Sequence, residues 1–262
     1  MTRRGLLRIG LVVSLATAVF VVLLLRPAAH NPRAPSEPNL PNLSAGPQPA
    51  FAVGRPQLLQ RATAASRWAT VGRPVTALRA PGGRPVTRLA AVTPEGTTNL
   101  VDVLGSVWHR GVEWVHVRLP LLPNNTTGWV PRSALGGYHF VTTHLVVSLH
   151  RLRATLWKDG RVVFSAPVGV GQPQSPTPRG EFYIRDELTG YASPFYGPVA
   201  FGTSARSAVL TEWPDGGFVG IHGTDEPGWI PGRVSHGCIR LRNRDILRLA
   251  RLLPVGTPLT IT

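Results

Sequence analysis

Ile221-His222-Gly223-Thr224 and, further along, Ser235-His236-Gly237-Cys238-Ile239-Arg240-Leu241 carry the chain's one cysteine, preceded by two histidines that are each followed by glycine. A thiol becomes a strong nucleophile when an imidazole takes its proton, and the two then form a thiolate–imidazolium pair. His236 lies two residues before Cys238, where an extended chain puts both side chains on one face. His222 ends a predicted strand that begins at Gly217, from which it can face Cys238 across the connecting loop. Either histidine can be the base. Gly237 allows a sharp turn, and its N–H together with that of Cys238 can form an oxyanion hole. Gly223 leaves its carbonyl open to an imidazole N–H, which would fix the tautomer without a carboxylate. A lone cysteine also packs well as a small buried hydrophobe, but Ser-His-Gly is a poor core neighbourhood and a good active-site one.

A single cysteine excludes an intramolecular disulfide and a multi-cysteine zinc site. His222, His236 and Cys238 are ligand types for zinc, yet the pattern fits acyl transfer better, so no metal and no cofactor are expected. Trp213 and Trp229 are candidates for the cleft wall or for ordinary core positions. Asp225 and Glu226, between the two motifs, read as solvated charges.

Working outward, residues 138–262 form a predicted β domain. The stretches 144–150 and 153–157 read as strands. Asp159-Gly160 supplies a tight hairpin turn into 162–168. Further strands are expected at 180–184, 198–201, 217–222 and 259–261. One short helix is expected, with Asn243 as its cap, Asp245 in its first turn, Ile246, Leu249, Ala250 and Leu253 on one face, and Pro254 as its stop.

Residues 67–137 alternate short strands with turns, which suggests a small barrel. Val75, Leu78, Arg79, Pro81 and Gly82, then Gly111, Trp114 and Val117, then Gly128-Trp129-Val130-Pro131 resemble bacterial SH3-like domains. That resemblance implies either binding to wall or peptide or a rigid spacer. Before it, residues 26–66 form a Pro-rich spacer, with prolines at 27, 32, 35, 38, 41, 47 and 49. Such a segment favours polyproline II, at about 3.1 Å per residue, and can hold a domain well off a surface. Residues 9–25 are an almost unbroken apolar run, near the ~17-residue lower limit of a membrane span. Arg3, Arg4 and Arg8 in the basic terminus 1–8 keep that end cytoplasmic by the positive-inside tendency and export the rest. A cleaved signal peptide is the alternative, but Arg26-Pro27-Ala28-Ala29 offers no clean cleavage site. The expected location is the cell membrane, single-pass, with the folded part on the wall side.

The formal net charge is +15, and Lys158 is the only lysine. Such a surface favours polyanionic neighbours. The basic residues are scattered and not gathered into a patch with interleaved aromatics, which disfavours nucleic acid.

The two motifs, with Ser175-Pro176-Thr177-Pro178-Arg179-Gly180-Glu181-Phe182, closely resemble the L,D-transpeptidase (YkuD-like) family over about residues 141–262. The resemblance implies a mostly β catalytic domain with strands enclosing the site and a short helix packed outside. It implies Cys238 as nucleophile and His222 as proton acceptor and donor. His236 and Ser235 become supporting polar residues, Gly237 part of the oxyanion hole, and Arg240 an organiser or a contact to substrate carboxylate. The implied reaction is acyl transfer on peptidoglycan stem tetrapeptides to give 3–3 cross-links, with cell-wall polymer as partner. A non-catalytic wall-binding protein would have no need to keep a nucleophile beside a base. In a papain-like hydrolase the cysteine precedes its histidine, and here it follows.

Overall fold

The computed structural model describes residues 65–189, 193–211 and 217–262. The expected basic terminus, the apolar run 9–25, the Pro-rich stretch up to residue 64, and Trp213 lie outside the described residues. Among the described residues no helix is long and apolar enough to cross a membrane. All of them belong to one compact unit, Pro56–Thr262, which contains two β-sheets, each with its own apolar core.

The first sheet comprises β1 (Ser66–Val71), β2 (Val75–Leu78), β3 (Pro85–Leu89), β4 (Leu100–His109), β5 (Val112–Arg118), β6 (Thr127–Pro131) and β7 (Leu135–Val141). Its order is β3-β2-β6-β5-β4-β1-β7, and every pairing is antiparallel. Alternation sends Ala69 and Val71, Val115 and Val117, and Val130 inward to one core. The changeover between sheets falls at residue 142 instead of 138. Residues 138–141 alternate and pair with β1, and that ties them to the first sheet.

The second sheet comprises β8 (Thr143–Ser148), β9 (Arg153–Lys158), β10 (Arg161–Pro167), β11 (Gly169–Gly171), β12 (Gly180–Thr189), β13 (Val199–Arg206), β14 (Phe218–His222), β15 (Gly232–Ser235), β16 (Ile239–Arg240) and, after helix α1 (Asn243–Ala250), β17 (Pro258–Ile261). The order is β10-β9-β8-β17-β12-β13-β14-β16-β11-β15. Asp159 and Gly160 both have positive φ, as the two-residue hairpin joining β9 to β10 requires. Strand β12 is the hinge of the architecture. Its first half pairs with β17 and its second half with β13, so it links the outer strands to those that bear the site.

Strands β12 and β13 run well past their expected ends at Ile184 and Phe201. The extensions carry buried polar side chains, Arg185, Asp186, Thr203 and Ser204, and these interrupt the apolar alternation that marks a strand in sequence. Asp186 spends one carboxylate oxygen on the Gly202 N–H at 2.9 Å. Helix α1 packs against β13 and β10 through Ile246 and Leu249, both fully buried. Asn243 does not cap it. Arg242 occupies the cap position, and the Asn243 side chain is used elsewhere.

Candidate active site

Strands β14 and β16 lie side by side and parallel, with Ile221 opposite Ile239 and His222 opposite Arg240. This register puts Gly220 beside Cys238. Since residues two apart on a strand share a face, Gly220 and His222 on one chain and Cys238 and Arg240 on the other point the same way. Ile221 and Ile239 point into the core, where both are almost completely buried. A side chain at Gly220 would begin 3.9 Å from both Cys238 Sγ and the Cδ2 of His222, so the two reactive groups converge on the space this glycine leaves.

Each group is held by the loop that follows or precedes it. The His222 ring donates from Nδ1 to the Gly223 carbonyl at 2.6 Å. A carbonyl can only accept, so Nδ1 carries the proton and Nε2 presents a lone pair. The Gly223 peptide is fixed in turn by Asn243, whose Oδ1 accepts from the Thr224 N–H at 2.8 Å. A Cβ on Gly223 would stand 2.3 Å from that oxygen, which explains the glycine. Tyr196 meets the His222 ring edge-on at 5.0 Å between centroids.

The cysteine turn is built around Ser235, which is buried. Its Oγ accepts from the Gly237 N–H at 3.1 Å and donates to the Cys238 carbonyl at 2.5 Å. Gly237 has φ +119, a conformation that only glycine adopts without strain. Its carbonyl accepts from Thr177 Oγ1 at 2.7 Å, and the same hydroxyl receives the Gly171 N–H at 2.8 Å. The Gly237 N–H, expected in an oxyanion hole, is spent on Ser235 in this resting arrangement.

Cys238 is partly accessible, and its sulfur takes a hydrogen bond from the Gly220 N–H at 3.4 Å. Burial pushes the thiol above its ordinary value, against the Gly220 N–H and the Arg240 guanidinium, which pull it down. Burial also pulls His222 down to about 4; the Gly223 bond opposes this and Arg240 adds to it. Both shifts favour uncharged forms. At neutral pH they favour a thiol beside a neutral imidazole over the ion pair expected from sequence.

A cleft opens over these groups, lined by His222, Ser235, His236, Cys238 and Arg240 on one side and by Phe195, Tyr196, Ser207, Leu210, Phe218 and Val219 around the rest. His236 is exposed at its rim. Arg240 is buried, lies 4.4 Å over the Phe195 ring, and pairs with Glu226 at 3.3 Å. Glu226 is thus a partner of the site and not only a solvated charge. Trp229 is exposed and does not line the cleft. Among the described residues no group of three or more His, Cys, Asp or Glu side chains can hold a metal ion. Thr177, Asn243 and the Phe195–Tyr196 pair are the site residues the sequence reading missed. Thr177 stood inside the quoted Ser175-to-Phe182 stretch, where no role was assigned to it.

Residues 142–261 match the family model of the L,D-transpeptidase catalytic domain, YkuD. The chain is 36% identical over 118 residues to the protein named L,D-transpeptidase YkuD in Bacillus subtilis (strain 168), covering 45% of this chain and 65% of that one. It is 28% identical over 199 residues to YbiS of Escherichia coli (strain K12), also named an L,D-transpeptidase, covering 67% of this chain and 64% of the other. The chain thus spans just under two thirds of the length of these curated relatives. The solved NMR structure of the catalytic domain from the E. faecium L,D-transpeptidase is 26% identical and covers 47% of this chain and 99% of that one, with a TM-score of 0.35.

Proposed function

We propose that the chain is a peptidoglycan L,D-transpeptidase that forms 3–3 cross-links through an acyl-enzyme on Cys238. The observation that carries this reading is the convergence of Cys238 and His222 over Gly220, with the imidazole tautomer set by Gly223. The Cys238 sulfur attacks the carbonyl carbon that joins the third residue of a stem tetrapeptide to its terminal D-alanine. As the S–C bond forms, the thiol proton passes to His222 Nε2. The tetrahedral oxyanion collapses, the C–N bond breaks, and His222 returns the proton to the departing amine of D-alanine. An amine from a second stem then attacks the thioester, gives its proton to His222, and leaves a peptide bond and a free thiol.

A neutral resting pair suits this sequence of events, because the proton moves only when a carbonyl is present to receive the sulfur. With Gly237 N–H engaged by Ser235, the oxyanion role falls to the Cys238 N–H. Ser235 and Thr177 hold the nucleophile turn, His236 supports the cleft rim, and Arg240, backed by Glu226, orders the floor or meets a substrate carboxylate. The seven-stranded sheet is read as an SH3-like domain. The apolar run 9–25 is read as a membrane anchor and the Pro-rich stretch as the spacer that lifts the enzyme into the wall.

The test is to incubate the full chain with a disaccharide-tetrapeptide and to analyse products and protein by mass spectrometry. A 3–3 dimer, free D-alanine and a carbapenem adduct lost in Cys238→Ala support the proposal. Release of D-alanine without dimer would assign hydrolysis instead. Absence of both turnover and adduct would leave a non-catalytic wall-binding protein.

A further inference from the structure

The far wall of the cleft, Ser207, Leu210 and Phe218, is tied to the first sheet at two separate points. The first tie is at the end of β13. Asn124, in the loop between β5 and β6, donates from Nδ2 to the Arg206 carbonyl at 2.7 Å and accepts the Arg206 N–H on Oδ1 at 2.9 Å. This is a two-bond clamp on one peptide residue, and the next residue, Ser207, lines the cleft and accepts the Leu210 N–H on its hydroxyl at 2.9 Å. The neighbouring Asn125 accepts the Glu181 N–H at 2.7 Å, so the whole Asn-Asn pair faces the second sheet.

The second tie runs through a buried arginine. Arg185 on β12 is 2% exposed and binds Glu95, from the segment between β3 and β4, at 2.9 Å. Its guanidinium lies 3.9 Å from the centroid of the Phe218 ring, and the Arg206 guanidinium lies 4.4 Å from the same ring. Arg185 Nε and Nη1 and Arg206 Nε are buried and make no hydrogen bond. Two like charges on one ring repel, and an arginine taken out of water needs a counter-charge. Glu95 supplies that charge, with the Asp186 carboxylate at 3.8 Å.

We infer that Asn124 and Glu95 are positioning residues for the Ser207–Leu210–Phe218 wall, so that the first sheet is a working part of the acyl-donor cleft and not only a spacer. The inference rests on the transpeptidase reading for its substrate, although the brace itself is a property of the fold. Without the clamp on Arg206 and the charge behind Arg185, the wall loses its fixed distance from Cys238. A long peptide then meets a misplaced surface, and misplacement on the scale of 1 Å is enough to cost ~10²-fold in rate. A small reagent that needs no wall is unaffected.

The experiment compares full-length wild type with Asn124→Ala, Glu95→Leu and Glu95→Gln. Three readouts are taken: acylation by a stem tetrapeptide, alkylation of Cys238 by iodoacetamide, and amide hydrogen exchange over 206–211 and 217–222. Asn124→Ala and Glu95→Leu should raise KM for the tetrapeptide and lower acylation efficiency about tenfold or more. Their alkylation rates should stay within about twofold of wild type, because the thiol itself is unperturbed. Exchange should quicken in those two segments alone. Glu95→Gln keeps an oxygen for Arg185 but removes the counter-charge, and should recover only a minor part of the loss. Unchanged acylation and exchange in Asn124→Ala and Glu95→Leu would overturn the inference. So would a parallel fall of acylation and alkylation, which marks general loss of fold. If wild type is never acylated, the functional reading fails, while the exchange data still decide whether the brace exists.

Discussion

The protonation state of the resting site makes the most exacting prediction. Burial raises the Cys238 thiol above a starting value of 9.0 and lowers His222 to about 4. The thiol form then dominates at pH 7, since each unit below the pKa cuts the thiolate tenfold. Were the two groups an ion pair, nearly all of the sulfur would be thiolate at that pH, and alkylation would run about 100-fold faster. The assay is the second-order rate of Cys238 alkylation by iodoacetamide from pH 5 to 10. The logarithm of the rate should climb with a slope near one through pH 9, without a plateau near neutrality. His222→Ala should leave that profile almost unchanged, because the imidazole does not ionise the sulfur before substrate arrives. A plateau from about pH 6, abolished in His222→Ala, would refute the neutral-pair reasoning.

Other outcomes follow from the same contacts. Ser235→Ala strips the Gly237 N–H of its buried partner and should cost about 1–3 kcal/mol in denaturant unfolding, with a matching loss of acylation. Gly223→Ala places a carbon 2.3 Å from Asn243 Oδ1, so both the Thr224 bond and the His222 tether should fail. That variant should lose about 2 kcal/mol or more and most of its acylation rate, whereas Asn243→Ala in the same background should return part of the stability. Because His222 has a folded pKa below its unfolded value, the unfolded chain binds more protons between pH 6.5 and 4. The stability it contributes is fully present above pH 6.5 and is lost as pH falls toward 4, at most about 3 kcal/mol, and the difference between wild type and His222→Phe in denaturant titrations should show that window.

Local rules told much of the fold, and the long-range ones were silent. Asp159-Gly160 announces a hairpin because its two residues tolerate positive φ, and the chain turns there. The apolar rhythm of Ile246 and Leu249 marks the helix face that is buried. Asn243, by contrast, has the chemistry of a helix cap and stands at the right place, but the Thr224 N–H lies within its reach only after folding. β11, β15 and β16 are too short to show a periodicity, and they are held by pairing with the strands beside them. The residues of the site were named by motif, yet their charge state was not legible. A motif fixes which atoms approach one another, while the pKa depends on how much water the finished fold removes from both.

Single-turnover acylation of wild type and His222→Ala by a tetrapeptide donor, followed by mass spectrometry, bears on the core of this account. A loss of about 10²-fold or more in the variant, with the thiol still open to alkylation, is the predicted result. An unchanged acylation rate would contradict it and move the proton-transfer role to His236.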